Sequence, residues 1–240
     1  MHLEKILQSQ GFGSRKQCRQ LIENGNIAIY GEVCSNPKAN FETQHSDEQP
    51  LEFTVAGKSW QYREKVYIAL HKPIGYECSH QPQHHFSVFS LLPAQLIERG
   101  IQCVGRLDQD TTGLLLLTDD GTFLQALTHP KKHVAKRYIV TTNRPIIDEQ
   151  ITQLKQGVAL RNEQGSYAAD DCIQLGENQL VLTIHQGLYH QVKRMIAAVG
   201  NHVDALHRDQ IGQFKLPDDL TEGQWIYLSD VQVNQARQLV

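Results

Sequence analysis

The stretch from 105 to 121, GRLDQDTTGLLLLTDDG, holds four aspartates around a run of leucines. The last two aspartates have the residue types of a turn that leads into a helix. Asp110 and Thr112 are suited to hydrogen-bond the backbone of their own loop. Asp108, two residues after Arg106, is then the candidate for chemistry, because an ionised carboxylate beside a cation can act as a nucleophile.

Two generic motifs fit the same stretch. Asp108, Asp110 and Thr112 match D-x-D-x-T of haloacid-dehalogenase-type phosphatases, in which the first aspartate attacks phosphorus. That nucleophile ends a buried strand, whereas here the apolar run follows the motif. With Asp119 the same residues have EF-hand spacing, but residues 114–117 would have to be loop and no glutamate closes the motif. The position of the apolar run disfavours both alternatives.

A second group of candidates lies in YHQVKRMIAAVGNHV, residues 189–203. An apolar stripe with i, i+3, i+4, i+7 spacing predicts a helix and consists of Val192, Met195, Ile196 and Val199. His190, Lys193 and Arg194 share another part of that helix surface. Taken alone, Lys193 is equally compatible with a solvated helix cation, and Tyr138 in the segment before it with a core aromatic.

Basic residues cluster in two further places and could hold phosphates. Four of them fall within seven residues that lack any acid and could act with two more distant arginines: Lys131, Lys132, Lys136, Arg137, Arg194 and Arg208. Three others lie on less than two turns of a predicted helix: Arg15, Lys16 and Arg19. The alternative for the second cluster is an ordinary solvated helix face.

Periodicity predicts the elements that must position these residues. The first segment is predicted as helix, loop, helix, strand, with Ser14 as the N-cap of the second helix. After a polar linker, a domain boundary is expected near residue 60. Beyond it the predicted strands are 66–70, 114–118, 138–142 and 180–184, and the predicted helices are 122–128, 148–156 and 189–199. This alternation indicates a mixed sheet with flanking helices.

Composition limits the class of protein. The 240 residues are 40% hydrophobic with a net charge of −3, so a nucleic-acid role must come from local charge. No apolar run is long enough to span a membrane, and charges at positions 4 and 5 interrupt the place of a signal peptide, so a cytoplasmic location is expected. Five scattered cysteines predict reduced thiols. The histidines near Cys78 (His80, His84, His85) have no defined ligand spacing, so no metal site is predicted.

The first segment resembles the S4 RNA-binding domain, through its G-x-S-R start and the strand that ends in YGE at 30–32. His2 and Asn26 stand where that family usually has basic residues. The resemblance implies an auxiliary RNA-binding module.

The remaining motifs occur in an order that resembles the pseudouridine synthases, most closely the RsuA type. They are HKPIGYECS at 71–79, GRLDQDTTGLLLLTDDG at 105–121, HPKKHVAKRYIV at 129–140, YHQVKRMIAAVGNHV at 189–203 and LHR at 206–208. The resemblance implies an α+β chain. Its parts would be a small helix-helix-strand S4-like domain with its linker over 1–60, and a catalytic domain over 61–235 with a mixed, mostly antiparallel sheet and flanking helices.

The resemblance also implies roles for four residues. Asp108 would be the catalytic aspartate, acting at ribose C1′ as a nucleophile or abstracting a ribose proton. Arg106 would enter the space left when the target base is flipped out. Tyr138 would stack on the uracil, and Lys193 would pair with Asp108 and keep it charged. Departures at His185, Gln186, Leu188 and Arg137 bear on the choice of RNA target.

The expected reaction converts uridine to pseudouridine by breaking C1′–N1, rotating the base and joining C1′ to C5. Nothing is oxidised and no group is imported, so no cofactor or metal is expected. The expected partner is small-subunit ribosomal RNA, in a partly assembled particle, met by a monomer without membrane contact. Large-subunit RNA as the target, or a non-catalytic RNA-binding assembly factor, are the alternatives.

Overall fold

The computed structural model describes residues 1–43, 50–129 and 132–238, which form two compact units. The first consists of Met1–Val66 and Leu92–Gln102, and the second of Tyr67–Leu91 and Cys103–Val240. The division of the chain into domains over 1–60 and 61–235 stays a prediction. The compact units separate six residues later than that boundary, and a segment from the middle of the chain belongs to the first unit.

The first unit combines short helices with a small antiparallel sheet. Its helices are α1 Leu3–Ser9, α2 Arg15–Glu23 and α3 Ala94–Glu98. Its strands are β1 Ile27–Ile29, β2 Glu32–Val33, β3 Glu52–Val55 and β4 Lys58–Gln61, in the order β2-β1-β3-β4. The Ser14 hydroxyl accepts a hydrogen bond from the Gln17 amide, so the predicted N-cap is confirmed.

The second unit is built on one large sheet. Its strands and the strand leading into it are β5 Tyr67–Lys72, β6 Tyr76–Glu77, β7 Phe86–Ser87, β8 Gln102–Cys103, β9 Thr111–Thr118, β10 Lys136–Thr142, β11 Val158–Ala159, β12 Ser166–Tyr167, β13 Asp171–Gly176, β14 Gln179–Ile184, β15 Val203–Ile211, β16 Phe214–Lys215 and β17 Trp225–Tyr227. Its helices are α4 Gly121–Thr128, α5 Asp148–Gln156, α6 Gln191–Ala198 and α7 Asp230–Arg237. A 3₁₀ turn covers Val88–Leu91. Within the described ranges, none of the helices has the length and apolar character that a membrane span requires.

The large sheet has the main strand order β13-β14-β10-β15-β9-β5-β17. Along this order every neighbouring pair is antiparallel except β9 and β15, which are parallel. The predicted α+β class with a mixed, mostly antiparallel sheet is therefore confirmed. The four leucines of β9 are fully buried, as expected for a continuous apolar run whose two faces are both covered.

Gly113 permits the parallel pairing of β9 with β15. It lies opposite Arg208, and a Cβ at this position would stand 2.2 Å from the Arg208 carbonyl oxygen. Its φ of +104° is also one that side chains rarely adopt. A glycine is therefore needed for β15 to reach the centre of the sheet and bring Arg208 with it.

Candidate active site

The predicted chemical residues meet at one cavity of the second unit. This cavity, here called the Asp108 cavity, has a volume of about 620 Å³, which suits a nucleotide-sized ligand. Seven of the residues selected from the sequence line it: Arg106, Asp108, Lys136, Tyr138, His190, Lys193 and Arg208. They come from the loop before β9, from β10 and β15, and from the start of α6.

Asp108 faces two basic side chains. Its Oδ2 lies 3.3 Å from Lys193 Nζ, and its Oδ1 lies 3.3 Å from His190 Nε2. The pairing expected from the family resemblance is thus present in the geometry. His190 was selected as an RNA-binding residue, and its contact with Asp108 was not foreseen.

Lys193 is shared between two carboxylates. Its Nζ lies 2.6 Å from Asp110 Oδ1, so Asp110 contacts the ammonium more closely than Asp108 does. Burial raises the pKa of Asp110, but the Lys193 hydrogen bond and charge outweigh it and leave this pKa below its usual value. Asp110 therefore does more than support its own loop, and Thr112, expected to do the same, contacts His207 Nδ1 at 2.9 Å.

Alternate residues hold the Asp108 loop, residues 104–110, from behind. The Leu107 amide donates to Cys78 Sγ at 3.4 Å. Lys72 Nζ donates to the carbonyls of Gln109 at 3.3 Å and Thr111 at 2.9 Å, and also to its neighbour Pro73. The residues between these anchors, including Asp108, are left to face the cavity or solvent. Lys72 is fully buried, and this burial lowers the pKa of its ammonium.

Sequence reasoning did not single out Lys72 as a functional residue. The only signal was its place in the HKPIGYECS motif, because a lysine after an apolar strand normally marks a solvated end. The structure gives it a definite task, since it replaces water as the donor to three carbonyl groups of the loop region.

The N-terminus of α6 is set by an unusual residue. His190 is the N-cap and has a left-handed backbone with φ 49°. Its ring stacks on Tyr189, with centroids 3.8 Å apart, and Tyr189 is 75% exposed. The predicted helix over 189–199 is therefore shorter at both ends than expected, and its first two predicted residues form the turn that carries the histidine to Asp108.

Tyr138 and Arg208 form part of the cavity wall. They are opposite each other on β10 and β15, so both side chains point to the same face of the sheet. Tyr138 is 8% exposed and Arg208 is 2% exposed. Arg208 was predicted to hold a phosphate on an outer RNA-facing surface, and its burial in the cavity wall corrects that placement.

The remaining predicted RNA-binding residues lie away from the cavity, and several are engaged within the fold. Arg137 binds Asp209 at 2.5 Å, and Arg194 binds Glu163 at 3.1 Å and the carbonyls of Tyr189 and Arg161. In the first unit both arginines of α2 bind the buried Glu4. The predicted lysines outside the cavity differ in what can be said of them: Lys16 and Lys132 are exposed, and Lys131 lies outside the described residues.

Arg106 lines the mouth of the cavity and is exposed. Asp120 caps α4 by accepting from the Thr122 amide at 2.9 Å, as its turn-forming neighbourhood predicted. In the part of the chain that the structure describes, no cluster of three or more histidine, cysteine or acidic side chains could hold a metal ion. His80, one of the histidines considered for such a site, stacks on Phe89.

Comparison with known proteins agrees with the geometry. Residues 66–198 match the family model described as RNA pseudouridylate synthase, and residues 1–43 match the S4 domain model. The chain is 35% identical to "Ribosomal small subunit pseudouridine synthase A" of Vibrio vulnificus, over 98% of both chains. It is 36% identical to the protein of the same name from Escherichia coli K12, over 97% of this chain and 98% of that one.

A solved structure extends the likeness to the fold. The chain is similar to the "Crystal structure of pseudouridylate synthase", with a TM-score of 0.69, 30% identity and coverage of 98% of this chain and 99% of that one. Family models, relatives and fold agree over nearly the whole sequence. The chain therefore belongs to the RNA pseudouridylate synthase family, as an enzyme with an S4 domain at its amino terminus.

Proposed function

We propose that this protein converts one uridine of small-subunit ribosomal RNA to pseudouridine, with Asp108 as the catalytic carboxylate. The observation that carries the proposal is the position of Asp108, which faces the cavity between Lys193 and His190 at 3.3 Å from each. The small-subunit target is proposed because the relatives named above are called small-subunit enzymes.

The neighbouring residues have distinct tasks in this proposal. Lys193 and His190 keep Asp108 ionised and oriented beside ribose C1′. Tyr138 supports the uracil ring by stacking, and Arg106 enters the space that the flipped base leaves in the RNA. Every step uses groups of this chain and of the RNA. The base leaves C1′ with the electron pair of the C1′–N1 bond, turns, and rejoins C1′ through C5, which then loses its proton.

RNA contacts outside the cavity are proposed for the basic residues selected from the sequence. In the S4 domain these are Arg15, Lys16 and Arg19, and around the catalytic part they are Lys131, Lys132, Arg137 and Arg194. Contacts of this kind position the RNA through its phosphates and do not read its sequence. We further propose that the protein acts as a cytoplasmic monomer on a partly assembled ribosomal particle.

The test is tritium release from RNA labelled at uridine C5, in EDTA, by the wild type, Asp108→Asn and the exposed control Asp218→Asn. The substrates are small-subunit RNA with and without ribosomal proteins, and large-subunit RNA. Release from small-subunit RNA by the wild type and the control, but not by Asp108→Asn, is expected. Release from large-subunit RNA alone would overturn the target.

The same experiment addresses the two other readings of the sequence. If Asp108→Asn binds RNA like the wild type and neither protein releases tritium from any substrate, the protein is an RNA-binding assembly factor. A phosphatase that uses D-x-D-x-T would need magnesium, so full activity in EDTA counts against it.

A further inference from the structure

Arg208 is a buried cation with an unused hydrogen-bond donor. Its Nε donates to the Leu114 carbonyl at 2.8 Å, which fixes the side chain against β9. Its Nη2 is buried and has no hydrogen-bond partner among the described residues. The guanidinium carbon lies 6.0 Å from the centre of the Tyr138 ring. A residue that only fastened two strands would not need to bury a second, unsatisfied donor.

A second cation lies on the same side of the sheet. Lys136 is two residues before Tyr138 on β10, so it shares the face of Tyr138, and it also lines the cavity. Its Nζ donates to the Val134 carbonyl at 2.9 Å. Burial, with a smaller contribution from Arg208, lowers the pKa of Lys136 to about 8.

Neither cation has an ion-pair partner in the described ranges of the chain. Burying a charge without a counter-charge is costly, so proteins keep such an arrangement mainly where a ligand completes it. The missing partner must be electron-rich and must reach the wall formed by Tyr138 and Arg208. A flat ring stacked on Tyr138 would bring its edge substituents near Arg208, because the guanidinium carbon lies 6.0 Å from the ring centre.

Resting on the proposed function, we propose that Arg208 donates from Nη2 to a carbonyl oxygen of the target uracil and stabilises the negative charge of the detached base. When C1′–N1 breaks, the electron pair goes to N1 and is delocalised onto O2 and O4. This is so whether Asp108 bonds to C1′ or removes a ribose proton. A fixed donor at one of these oxygens acts where charge develops, and Lys136 adds a second positive charge.

The base rotation is compatible with a single fixed donor. Turning uracil by half a turn about its N3–C6 axis exchanges O2 with O4 and places C5 where N1 was. Arg208 therefore faces an oxygen before and after the rotation. Cytosine would present its amino group in one of the two orientations, and two donors would then face each other, so Arg208 would also select uracil over cytosine.

The experiment compares the wild type, Arg208→Met, Arg208→Lys and an exposed control, Arg161→Met. Once the modified uridine is mapped, single-turnover conversion and RNA affinity are measured with uridine, 2-thiouridine or 4-thiouridine at that position. Arg208→Met should slow conversion about 100-fold at saturating RNA, with RNA affinity nearly unchanged, because one donor to a developing charge is lost. Arg161→Met should match the wild type.

The thio substrates give a readout that a purely structural role would not move. Sulfur is a weak acceptor, so at least one thio substrate should slow the wild type about tenfold, beyond any effect on Arg208→Met. Equal thio effects in the wild type and Arg208→Met would overturn the proposal, as would conversion by a folded Arg208→Met within threefold of the wild type. If Arg208→Met does not fold, Arg208→Lys takes its place in the comparison. A wild type that does not convert uridine would instead refute the proposed function.

Discussion

Lys193 Nζ lies 2.6 Å from Asp110 Oδ1 and 3.3 Å from Asp108 Oδ2, so the cation expected to serve one carboxylate serves two. The two aspartates belong to the same loop, two residues apart, and without the ammonium their charges would repel each other. Lys193 thus stabilises the loop as well as the ionised form of Asp108. The loop and the helix that carries Lys193 are joined at this point.

Replacement of Lys193 should separate this effect from simple charge loss. Lys193→Met should slow single-turnover tritium release about 100-fold, because the two carboxylates then lack their common cation. Lys193→Arg keeps the charge and should recover most of the rate. Asp110→Asn is the matched control, since it leaves Lys193 entirely to Asp108 and should remain within threefold of the wild type. A loss in Asp110→Asn as large as that in Lys193→Met would make Asp110 part of the reaction.

Lys72 offers a test of how the Asp108 loop is held. Lys72→Met removes one buried ammonium and leaves three carbonyls without their donor. The free energy of unfolding should fall by about 3 kcal/mol. Urea denaturation monitored by circular dichroism measures it, with the exposed Lys215→Met as the control. Equal stability of the two variants would mean that water replaces the ammonium without cost.

Gly113 should tolerate no side chain. Gly113→Ala places a Cβ 2.2 Å from the Arg208 carbonyl oxygen and imposes a side chain on a φ of +104°. Because the close atom belongs to the backbone, β15 would have to move, and the variant should lose at least about 3 kcal/mol of stability or fail to fold. Gly176→Ala is a fair comparison, since its Cβ would meet nothing within 4 Å. Similar melting temperatures for both variants would contradict the argument.

Local signals in the sequence were sufficient for several elements. The Ser14 cap, the α5 helix over Asp148–Gln156 and the buried leucines of β9 follow from capping chemistry, helical spacing and a continuous apolar run. Each depends on residues close together in the chain, where intrinsic preferences and the tertiary fold agree.

β15 could not be predicted in this way, although it lies near the centre of the sheet. Its sequence, VDALHRDQI, contains four charged or titratable residues and does not have the pattern of a core strand. Their partners come from elsewhere in the chain: Asp209 binds Arg137, His207 binds Thr112, and Arg208 lies against β9. The buried wall of the cavity was missed for this reason, since only the fold shows which distant group satisfies each charge.

The depressed pKa of Lys136 predicts how the reaction depends on pH. This pKa is about 8 instead of the usual 10.5, so Lys136 is an ammonium below about pH 8 and a neutral amine above it. Its charge favours electron-rich ligands and faces no acid within the described residues. The value of kcat/KM, which reports ionisation in the free enzyme, should therefore fall as the pH rises through about 8.

Lys136→Met isolates that dependence. Its kcat/KM should be lower at pH 7 and should lack the decline near pH 8, because the titrating group is gone, whereas Lys215→Met should keep the wild-type profile. Tritium release measured from pH 6 to pH 9.5 at low RNA concentration gives both profiles. A decline near pH 8 that persists unchanged in Lys136→Met would assign the titration to another group and leave Lys136 with a structural role only.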